Sequence, residues 1–185
     1  MRSFIACLSL SLSLNLISSC VVDQADLSKY ENPPIENLEE ARNINVTYTD
    51  SSRTVFILKA PLLHRTYNKF SVTEEFPEGI DVTFYNKSDN PQSWLTADYA
   101  RRDQAQRTVT IEKNVVLRNN IGERLDSPEL IWDEKTKEIR TDRFVKITRP
   151  DGTLVYSYGF KSNETFTRYE LNASSGRLAV EEKDK

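Results

Sequence analysis

Few residues in this chain of 185 are of the types that perform chemistry. It has one histidine, His64, and two cysteines, Cys7 and Cys20. A single histidine excludes a histidine-cluster metal site and a pair of catalytic histidines. The carboxylates of Asp103 and Asp133-Glu134 fall in predicted turns, which favours solvated side chains over a general acid–base pair. His64 closely follows a predicted strand, so we expect it in an exposed loop.

No recognisable catalytic motif compensates for this scarcity. The sequence contains no nucleophile elbow, phosphate-binding loop or metal-spaced cluster. We therefore predict that the protein is not an enzyme and uses no cofactor. A net charge of −3 and a pI near 5.4 give no basic footprint, which argues against a nucleic-acid partner. The mean hydropathy of −0.57 indicates a polar chain, but eight Phe, eight Tyr and two Trp exclude disorder throughout.

The first twenty residues have the pattern of an export signal. Arg2 is the only charged residue before Asp23, and Phe4–Ile17 is an apolar, serine-rich run too short to span a membrane. The ending Ile17-Ser18-Ser19-Cys20 resembles the bacterial lipobox. That resemblance implies cleavage before Cys20, lipidation of Cys20 and a stable membrane anchor. The alternative is an ordinary secretory peptide cut nearby, with Cys20 unmodified.

The organisation predicted for the chain has three parts. Residues 1–19 are a lipoprotein signal peptide, residues 20–43 a lipidated N terminus and linker, and residues 44–182 one folded domain. The linker carries Pro33-Pro34 and shows no apolar period, which is typical of a flexible tether. A short helix at Ile35–Ala41 is the alternative for its last part.

From Ile44 almost to the C terminus, apolar and polar residues alternate with a period of two. Turns rich in Asp, Asn, Ser, Gly and Lys separate the alternating segments. This spacing predicts an antiparallel all-β fold, a sandwich or a barrel. The predicted strands include Thr54–Leu58, Ile80–Phe84, Val109–Ile111, Val115–Leu117, Ile139–Thr141, Val145–Ile147 and Leu154–Tyr156.

An internal repeat supports this interpretation. Leu95-Thr96-Ala97-Asp98 is matched thirty residues later by Leu125-Asp126-Ser127-Pro128. Leu58-Lys59-Ala60-Pro61 and Phe160-Lys161-Ser162-Asn163 resemble further copies. Each unit predicts a strand that ends in a small residue, followed by a hairpin, and large and small residues alternating on one face suit a narrowing apolar trough. Repeated hairpins without a closing signal predict strands stacked along one axis, with a free edge strand at each end.

Several segments, taken in order, resemble the LptC family of lipopolysaccharide export proteins and its relative LptA. The segment Tyr158–Tyr169 resembles the LptC form of the final strands specifically. The resemblance covers about Ile44 to Arg177. The other matching segments are Trp94–Ala100, Lys113–Leu117, Leu125–Asp133 and Thr141–Ile147.

The resemblance implies a single β-jellyroll domain, a V-shaped pair of antiparallel sheets around an apolar groove. It also implies a periplasmic module that accepts lipopolysaccharide from an inner-membrane ABC transporter with LptF/LptG-like subunits and passes it to an LptA-like protein. The familiar LptC has an N-terminal transmembrane helix, whereas this chain has a lipobox. A lipid anchor on Cys20, with the inner membrane favoured, would supply the same tether.

Inward-facing strand residues are the predicted lining of that groove, and closed core is the alternative for each of them. They are Leu58, Ala60, Val82, Phe84, Leu95, Ala97, Val109, Ile111, Val115, Leu117, Leu125, Ile139, Val145, Ile147 and Phe160. Coupling to partners by strand addition is predicted at both edges of the sheet. The edge facing the transporter is the first strand, at Val46 and Tyr48. The edge facing the LptA-like protein is formed by the last strands, at Phe166, Arg168, Tyr169 and Leu171.

Two other functions are kept as alternatives. A lipid-anchored β-sandwich lipoprotein with a scaffolding or adhesion role would have a filled interior. A lipid-anchored hydrolase with a β-sandwich body would have a cleft with convergent carboxylates of perturbed pKa.

Overall fold

The described part of the chain consists of eleven strands without a helix. The computed structural model describes residues 38–69 and 71–177. The predicted signal peptide, Cys20 and most of the predicted linker lie outside the described residues. The strands are β1 (Leu38–Asp50), β2 (Arg53–Tyr67), β3 (Val72–Phe76), β4 (Ile80–Tyr85), β5 (Pro91–Ala97), β6 (Tyr99–Asp103), β7 (Thr108–Asn119), β8 (Arg124–Asp133), β9 (Glu138–Thr148), β10 (Leu154–Asn163) and β11 (Tyr169–Arg177).

The strands form one antiparallel sheet in which neighbours in sequence are mostly neighbours in space. β3 and β4 both pair with β2, while β5 and β6 both pair with β7. β4 pairs with β5 and β3 pairs with β6. β3 and β4 are therefore one long strand divided in two, and so are β5 and β6. β1 pairs only with β2 and β11 only with β10, which makes them the two edges. The predicted antiparallel all-β fold of the jellyroll type is confirmed.

A crease crosses the sheet and divides it into two halves. Gly79 separates β3 from β4, and Asp98 separates β5 from β6. The backbone has positive φ at Asn43 in β1 (51°), Lys113 in β7 (65°) and Gly159 in β10 (85°). Such bulges bend a strand and increase its twist. We call the two parts the β4–β5 half and the β3–β6 half, each including the strand segments paired with those strands.

β2 runs through the crease instead of ending there. Pro61 has no N–H to donate, and it stands opposite Asn43, where the ladder with β1 is interrupted. The prediction of an exposed loop for His64 is therefore wrong. His64 is half-buried in β2 and pairs with Glu40 of β1 and Glu75 of β3.

Other boundaries also differ from the predictions. β1 begins at Leu38, within the segment predicted as linker, so a helix at residues 35–41 is wrong from residue 38 onwards. The reason is that residues 38–43 of β1 are exposed and lack the apolar–polar alternation that begins at Ile44. The segments predicted as separate strands on either side of residues 113–114 are both parts of β7, because the bulge exposes those two residues and interrupts the alternation. β9 joins two predicted strands in the same way.

Residues at the crease explain the internal repeat. Along the crease, small side chains lie beside larger ones on the neighbouring strand, since Val115 pairs with Ser127 and Val145 with Ser157. The copies at residues 58–61, 95–98 and 125–128 all lie at the crease. The fourth predicted copy is wrong, because residues 160–163 lie at the far end of β10 and Gly159 stands at the crease instead.

Candidate functional site

All fifteen residues predicted to line a groove have buried side chains and belong to one core between the two halves. Val82, Leu95, Ile111 and Leu125 are 0% exposed. A residue with no exposed surface touches only the protein itself. The interior between the halves is therefore largely filled by its own side chains, and contact of these residues with lipid stays a prediction.

A cavity of about 370 Å³ remains at the β1 end of the sandwich. Ile44, Val46 and Tyr48 of β1 lie along it, and Val46 and Tyr48 are 47% and 46% exposed. Because no described strand lies beyond β1, its inward side chains have a neighbouring strand on one side only and stay partly exposed above the cavity. The volume falls near the lower end of the range for small-molecule sites. The remaining apolar wall comes from Val55, Phe56, Leu58, Leu63, Phe76, Ile80, Val109 and Trp132.

Aromatic rings mark the boundary between this cavity and the filled core. Tyr48 stacks on Phe56 with ring centres 5.1 Å apart. Phe56 and Phe84, from the β4–β5 half, each meet Trp132 of the β3–β6 half edge to face, at 5.0 and 5.1 Å. Edge-to-face pairs add about 0.5–1.5 kcal/mol each to the burial of the rings. Trp132 therefore holds the two halves together where the cavity ends.

A chain of charged residues forms the polar side of the cavity. Arg65, Glu74 and Arg102 lie side by side on β2, β3 and β6. Arg65 Nη2 donates to Glu74 Oε1 at 2.7 Å, and Arg102 Nη1 donates to Glu74 Oε2 at 2.9 Å. Arg102 also donates two hydrogen bonds to Glu134, from Nε to Oε1 at 2.7 Å and from Nη2 to Oε2 at 3.0 Å. Two-pronged arginine–carboxylate contacts of this kind are among the strongest in proteins.

Burial and the neighbouring arginines shift the pKa of Glu74 in opposite directions. Burial raises the pKa of Glu74, but hydrogen bonds from Arg102 and Arg65 outweigh it, and the pKa is lowered. The hydrogen bond to Glu134 is the main cause of a raised pKa at Arg102. Both residues are therefore charged at neutral pH.

Sequence reasoning missed this charged chain, although a signal for it exists. Arg65 follows the buried Leu63 by two positions, and Glu74 precedes the buried Phe76 by two. Residues two positions apart in a strand share a face. A charged residue in phase with a buried apolar neighbour therefore predicts an inward-facing charge.

The turn between β10 and β11, residues 164–168, spans the gap between the two halves opposite the crease. We call this gap the mouth. Ser93 Oγ donates to the Glu164 carbonyl at 2.7 Å, and Asn119 Nδ2 donates to the Phe166 carbonyl at 2.9 Å. Trp132 Nε1 donates to Glu164 Oε1 at 2.8 Å. These bonds close the mouth near the β11 end.

The same turn changes the expected location of two edge residues. Phe166 and Arg168 precede β11 instead of lying in it, and Phe166 is fully buried with a φ of 49°. Tyr169 and Leu171 do lie in β11, and Val46 and Tyr48 lie in β1. Phe166 is drawn into the core because it packs on Phe160 and Tyr169. As a buried turn residue it cannot offer a free backbone edge.

Three carboxylates meet at the cavity, which the sequence did not indicate. They belong to Glu74, Glu134 and Glu164. Arginines hold the first two, and burial raises the pKa of Glu164, partly offset by its hydrogen bond from Trp132. Because Glu74 and Glu134 are both engaged with Arg102, neither is free to act as a general base.

The rest of the described surface adds no stronger candidate. Two larger depressions, of about 650 and 530 Å³, lie at the crease and are lined by apolar, polar and charged residues together. A third, of about 390 Å³, lies beside the β10–β11 turn and is lined by polar and charged residues. Among residues 38–69 and 71–177, no three His, Cys, Asp or Glu side chains are grouped to hold a metal ion. Those residues also contain no helix long and apolar enough to cross a membrane.

Comparison with known proteins gives one match. A family model described as lipopolysaccharide-assembly, LptC-related, matches residues 74–175, from β3 into β11. β1, β2 and the edge of the cavity that they form lie outside the match. No curated protein matches the chain.

Proposed function

The chain belongs to the LptC-related family of lipopolysaccharide-assembly proteins, and from that premise we propose that its β1 end receives lipopolysaccharide acyl chains. Family membership gives it a general role in lipopolysaccharide transport, within the periplasmic export machinery. The finer proposal is that the acyl chains arrive from an LptF/LptG-like ABC transporter, travel between the two halves and leave towards an LptA-like protein. The observation that carries this proposal is the uncovered apolar face of β1 above the cavity.

The chemistry of the cavity supports this direction of entry. Each methylene removed from water is worth about 0.8 kcal/mol, so a cavity open to an edge favours an incoming acyl chain. Ile44, Val46 and Phe56 present this apolar surface at the β1 edge. At the other end, Phe160, Phe166 and Tyr169 pack together with ring centres 5.3–6.0 Å apart and fill the interior.

Passage beyond the cavity requires movement of the sandwich. Leu95, Leu117 and Ile147 are 0% exposed, so a chain that reaches them must displace their present contacts. The turn at residues 164–168 also joins the halves by hydrogen bonds. We propose that the halves separate at the mouth as lipid passes, and that acyl contacts replace contacts between side chains.

Free edges at both ends support the proposed coupling to neighbours. Within residues 38–69 and 71–177, β1 and β11 each present one unpaired backbone edge, the surface used when a further strand is added to a sheet. Val46 and Tyr48 on β1 would then face the transporter, and Tyr169 and Leu171 on β11 the LptA-like protein.

Site-specific photo-crosslinking in cells tests the lipid path. A crosslinking amino acid at Leu95, Val115 or Ile147, whose side chains face inward, should give adducts with lipopolysaccharide. Val116, the outward neighbour of Val115 on β7, is the matched control and should not. Adducts with protein alone from all inward positions would contradict the proposed path.

That second outcome would favour the scaffolding or adhesion alternative. Its supporting observation is the filled interior beyond the cavity, as seen at Leu95 and Ile111. Under that alternative, purified protein binds no lipopolysaccharide while remaining folded.

The membrane tether is a separate part of the proposal. Cys20 and the rest of the predicted signal lie outside the described residues, so the lipobox pattern is its only support. Mass spectrometry of the mature N terminus should find acyl chains on Cys20, and Cys20→Ser should release the protein from membranes. An unmodified mature N terminus would contradict lipid anchoring without affecting the proposed lipid path.

A further inference from the structure

Two hairpin turns at the rim of the cavity have the same construction. One joins β6 to β7 and the other joins β8 to β9, thirty residues later in the chain. In the first, Asp103 Oδ1 accepts a hydrogen bond from the Gln106 N–H at 3.0 Å. In the second, Asp133 Oδ1 accepts from the N–H groups of Lys135 and Thr136 at 2.9 Å. The internal repeat thus extends to these turns.

Each turn ends on a basic residue in a conformation that favours glycine. Arg107 has a φ of 56° and Lys137 a φ of 59°. Glycine adopts this left-handed region without steric cost, whereas a residue with a Cβ is strained there. Strained residues of this kind concentrate at functional sites. The presence of a basic side chain at both strained positions therefore points to a role in binding a ligand.

The β10–β11 turn is a third turn of this kind, and it shows where the side chain of the residue with positive φ can lie. The β10–β11 turn begins at Asn163, whose side-chain oxygen accepts from the backbone N–H groups of Thr167 and Arg168 at 3.1 Å. Its residue with positive φ is Phe166, whose ring enters the core. The two earlier turns instead bring the cations of Arg107 and Lys137 to the cavity.

The carboxylates around the cavity compensate the positive charges of Arg107 and Lys137 only weakly. Glu74 and Glu134 are engaged by Arg65 and Arg102. Arg107 makes no salt bridge or side-chain hydrogen bond with the residues that the structure describes. The remaining carboxylates facing Lys137 belong to Asp50 and Glu164.

Neither of those carboxylates neutralises Lys137 strongly. Asp50 Oδ2 is 3.9 Å from Lys137 Nζ, and the two side chains are 59% and 56% exposed, so the pair contributes little. Glu164 accepts its hydrogen bond from Trp132, and Lys137 acts on it through charge alone, without a salt bridge between them. The cavity lining thus carries four basic side chains, those of Arg65, Arg102, Arg107 and Lys137, against the three glutamates.

We infer that Arg107 and Lys137 form a phosphate-binding pair at the rim of the cavity. The inference rests on the proposed function, because the ligand is an amphiphile whose acyl chain enters the apolar cavity and whose sugar phosphate lies at the rim. The two turns belong to adjacent hairpins, so their backbones lie about 10 Å apart. The pair fixes the orientation of the glycolipid, with its headgroup towards the β3–β6 half.

Binding of phosphorylated lipopolysaccharide by the purified full-length chain tests this site. The same lipopolysaccharide with its lipid phosphates removed, and inorganic phosphate as a competitor, are the comparison ligands. The test variant is R107Q/K137Q. The matched control is Lys135→Gln, which removes a like charge from an exposed position in the second turn, away from the cavity lining. R107G/K137G removes the charges while favouring the turn conformation.

Wild-type protein should bind the phosphorylated ligand about tenfold more tightly than the dephosphorylated one, as two exposed ion pairs would give. Both double variants should lose that difference, Lys135→Gln should keep it, and R107G/K137G should melt no lower than wild type. Equal binding of the two ligands by wild type, or an equal loss in Lys135→Gln, would overturn the inference and leave the proposed function standing. Full competition by inorganic phosphate at equal concentration would overturn the headgroup assignment. Failure of wild type to bind either form would overturn the proposed function itself.

Discussion

Four side chains at the cavity, Arg65, Glu74, Arg102 and Glu134, form a continuous chain of hydrogen bonds across β2, β3, β6 and the β8–β9 turn. The Glu74 side chain is only 10% exposed and lies between two arginines. Charges taken out of water are tolerated when each has a partner, and removing one partner costs about 3–5 kcal/mol. The polar wall of the cavity therefore depends on Glu74 more than on any other member of the chain.

Glu74→Gln should accordingly destabilise the domain by about 3 kcal/mol, since it removes the buried carboxylate that Arg65 and Arg102 share. Arg102 then keeps Glu134, and of the described carboxylates Arg65 keeps only the exposed Glu39, 3.5 Å away. Thermal or denaturant unfolding measures this loss, and Glu75→Gln on the opposite face of β3 is the control, with a change below about 1 kcal/mol. Because the pKa of Glu74 is lowered from 4.5 in the fold, its stabilisation is present above that pH and is lost as the pH falls below it. Equal stability of the E74Q and E75Q variants at pH 7 would contradict this account.

Glu164 should behave in the opposite way. Burial raises its pKa above 4.5, so the ionised carboxylate destabilises the fold at high pH, and the penalty vanishes once both states are protonated. Glu164→Gln should therefore raise the melting temperature at pH 8 and leave it nearly unchanged at pH 4, since a glutamine oxygen can still accept from Trp132. Glu170→Gln on the exposed face of β11 serves as the control. A melting temperature that falls at pH 8 would show that ionised Glu164 stabilises the fold.

The crease is the feature that turns a simple succession of hairpins into a sandwich. Most strands are broken or bulged at the same level, and the breaks bring Gly79, Asp98 and Lys113 side by side. The N–H of Asp98 donates to the Lys113 carbonyl at 2.9 Å. A Cβ on Gly79 would lie 2.5 Å from the Ala97 carbonyl oxygen, and its φ is 90°. The close approach of the chains at this point therefore requires glycine.

Gly79→Ala should destabilise the domain by about 2 kcal/mol or more, because both the backbone conformation and the neighbouring carbonyl oppose a side chain. Gly176→Ala on β11 is the matched control. Its φ is not positive and its nearest backbone oxygen would be 3.2 Å away, so we expect a loss below about 1 kcal/mol. Denaturant unfolding compares the two, and similar losses would contradict the role given to Gly79.

The two ends of the whole molecule differ in a way that suits one-way movement of lipid. At the β1 end, the inward side chains of an edge strand remain about half exposed above a cavity. At the β11 end, Phe160 and Phe166 are buried beneath Tyr169, and the β10–β11 turn joins the halves. Lipid would thus meet an open apolar surface first and a closed one last.

Filling the cavity tests this asymmetry. Val46→Trp places a large ring over the cavity from a position already 47% exposed, so the fold should stay stable while lipopolysaccharide affinity falls about tenfold. Thr47→Trp, one residue away on the outer face of β1, should bind as wild type does. Equilibrium binding by the full-length chain measures both, and equal affinities would show that the cavity takes no part in lipid binding.

Alternation in the sequence was enough to predict the inward face. Residues such as Val82, Leu95 and Ile147 keep a period of two against polar neighbours, and all are buried. The same rule gave no signal in the first part of β1, residues 38–43, and it failed at His64, where a strand continued through a proline. The same period also marks Arg65 and Glu74 as inward-facing, since each lies two positions from a buried apolar residue, but their charge hides the signal.

The sequence by itself determined the antiparallel all-β fold, the buried face and the family resemblance, because strand periodicity and turn chemistry are local properties of a chain. Only the tertiary structure decided which parts of that face stay open. The cavity exists because β1 has no further neighbour among the described strands, and the mouth closes because Ser93 and Asn119 reach a turn that is distant in sequence. Coverage of a side chain depends on where edges fall and which turns fold back, and these are set by contacts between remote segments.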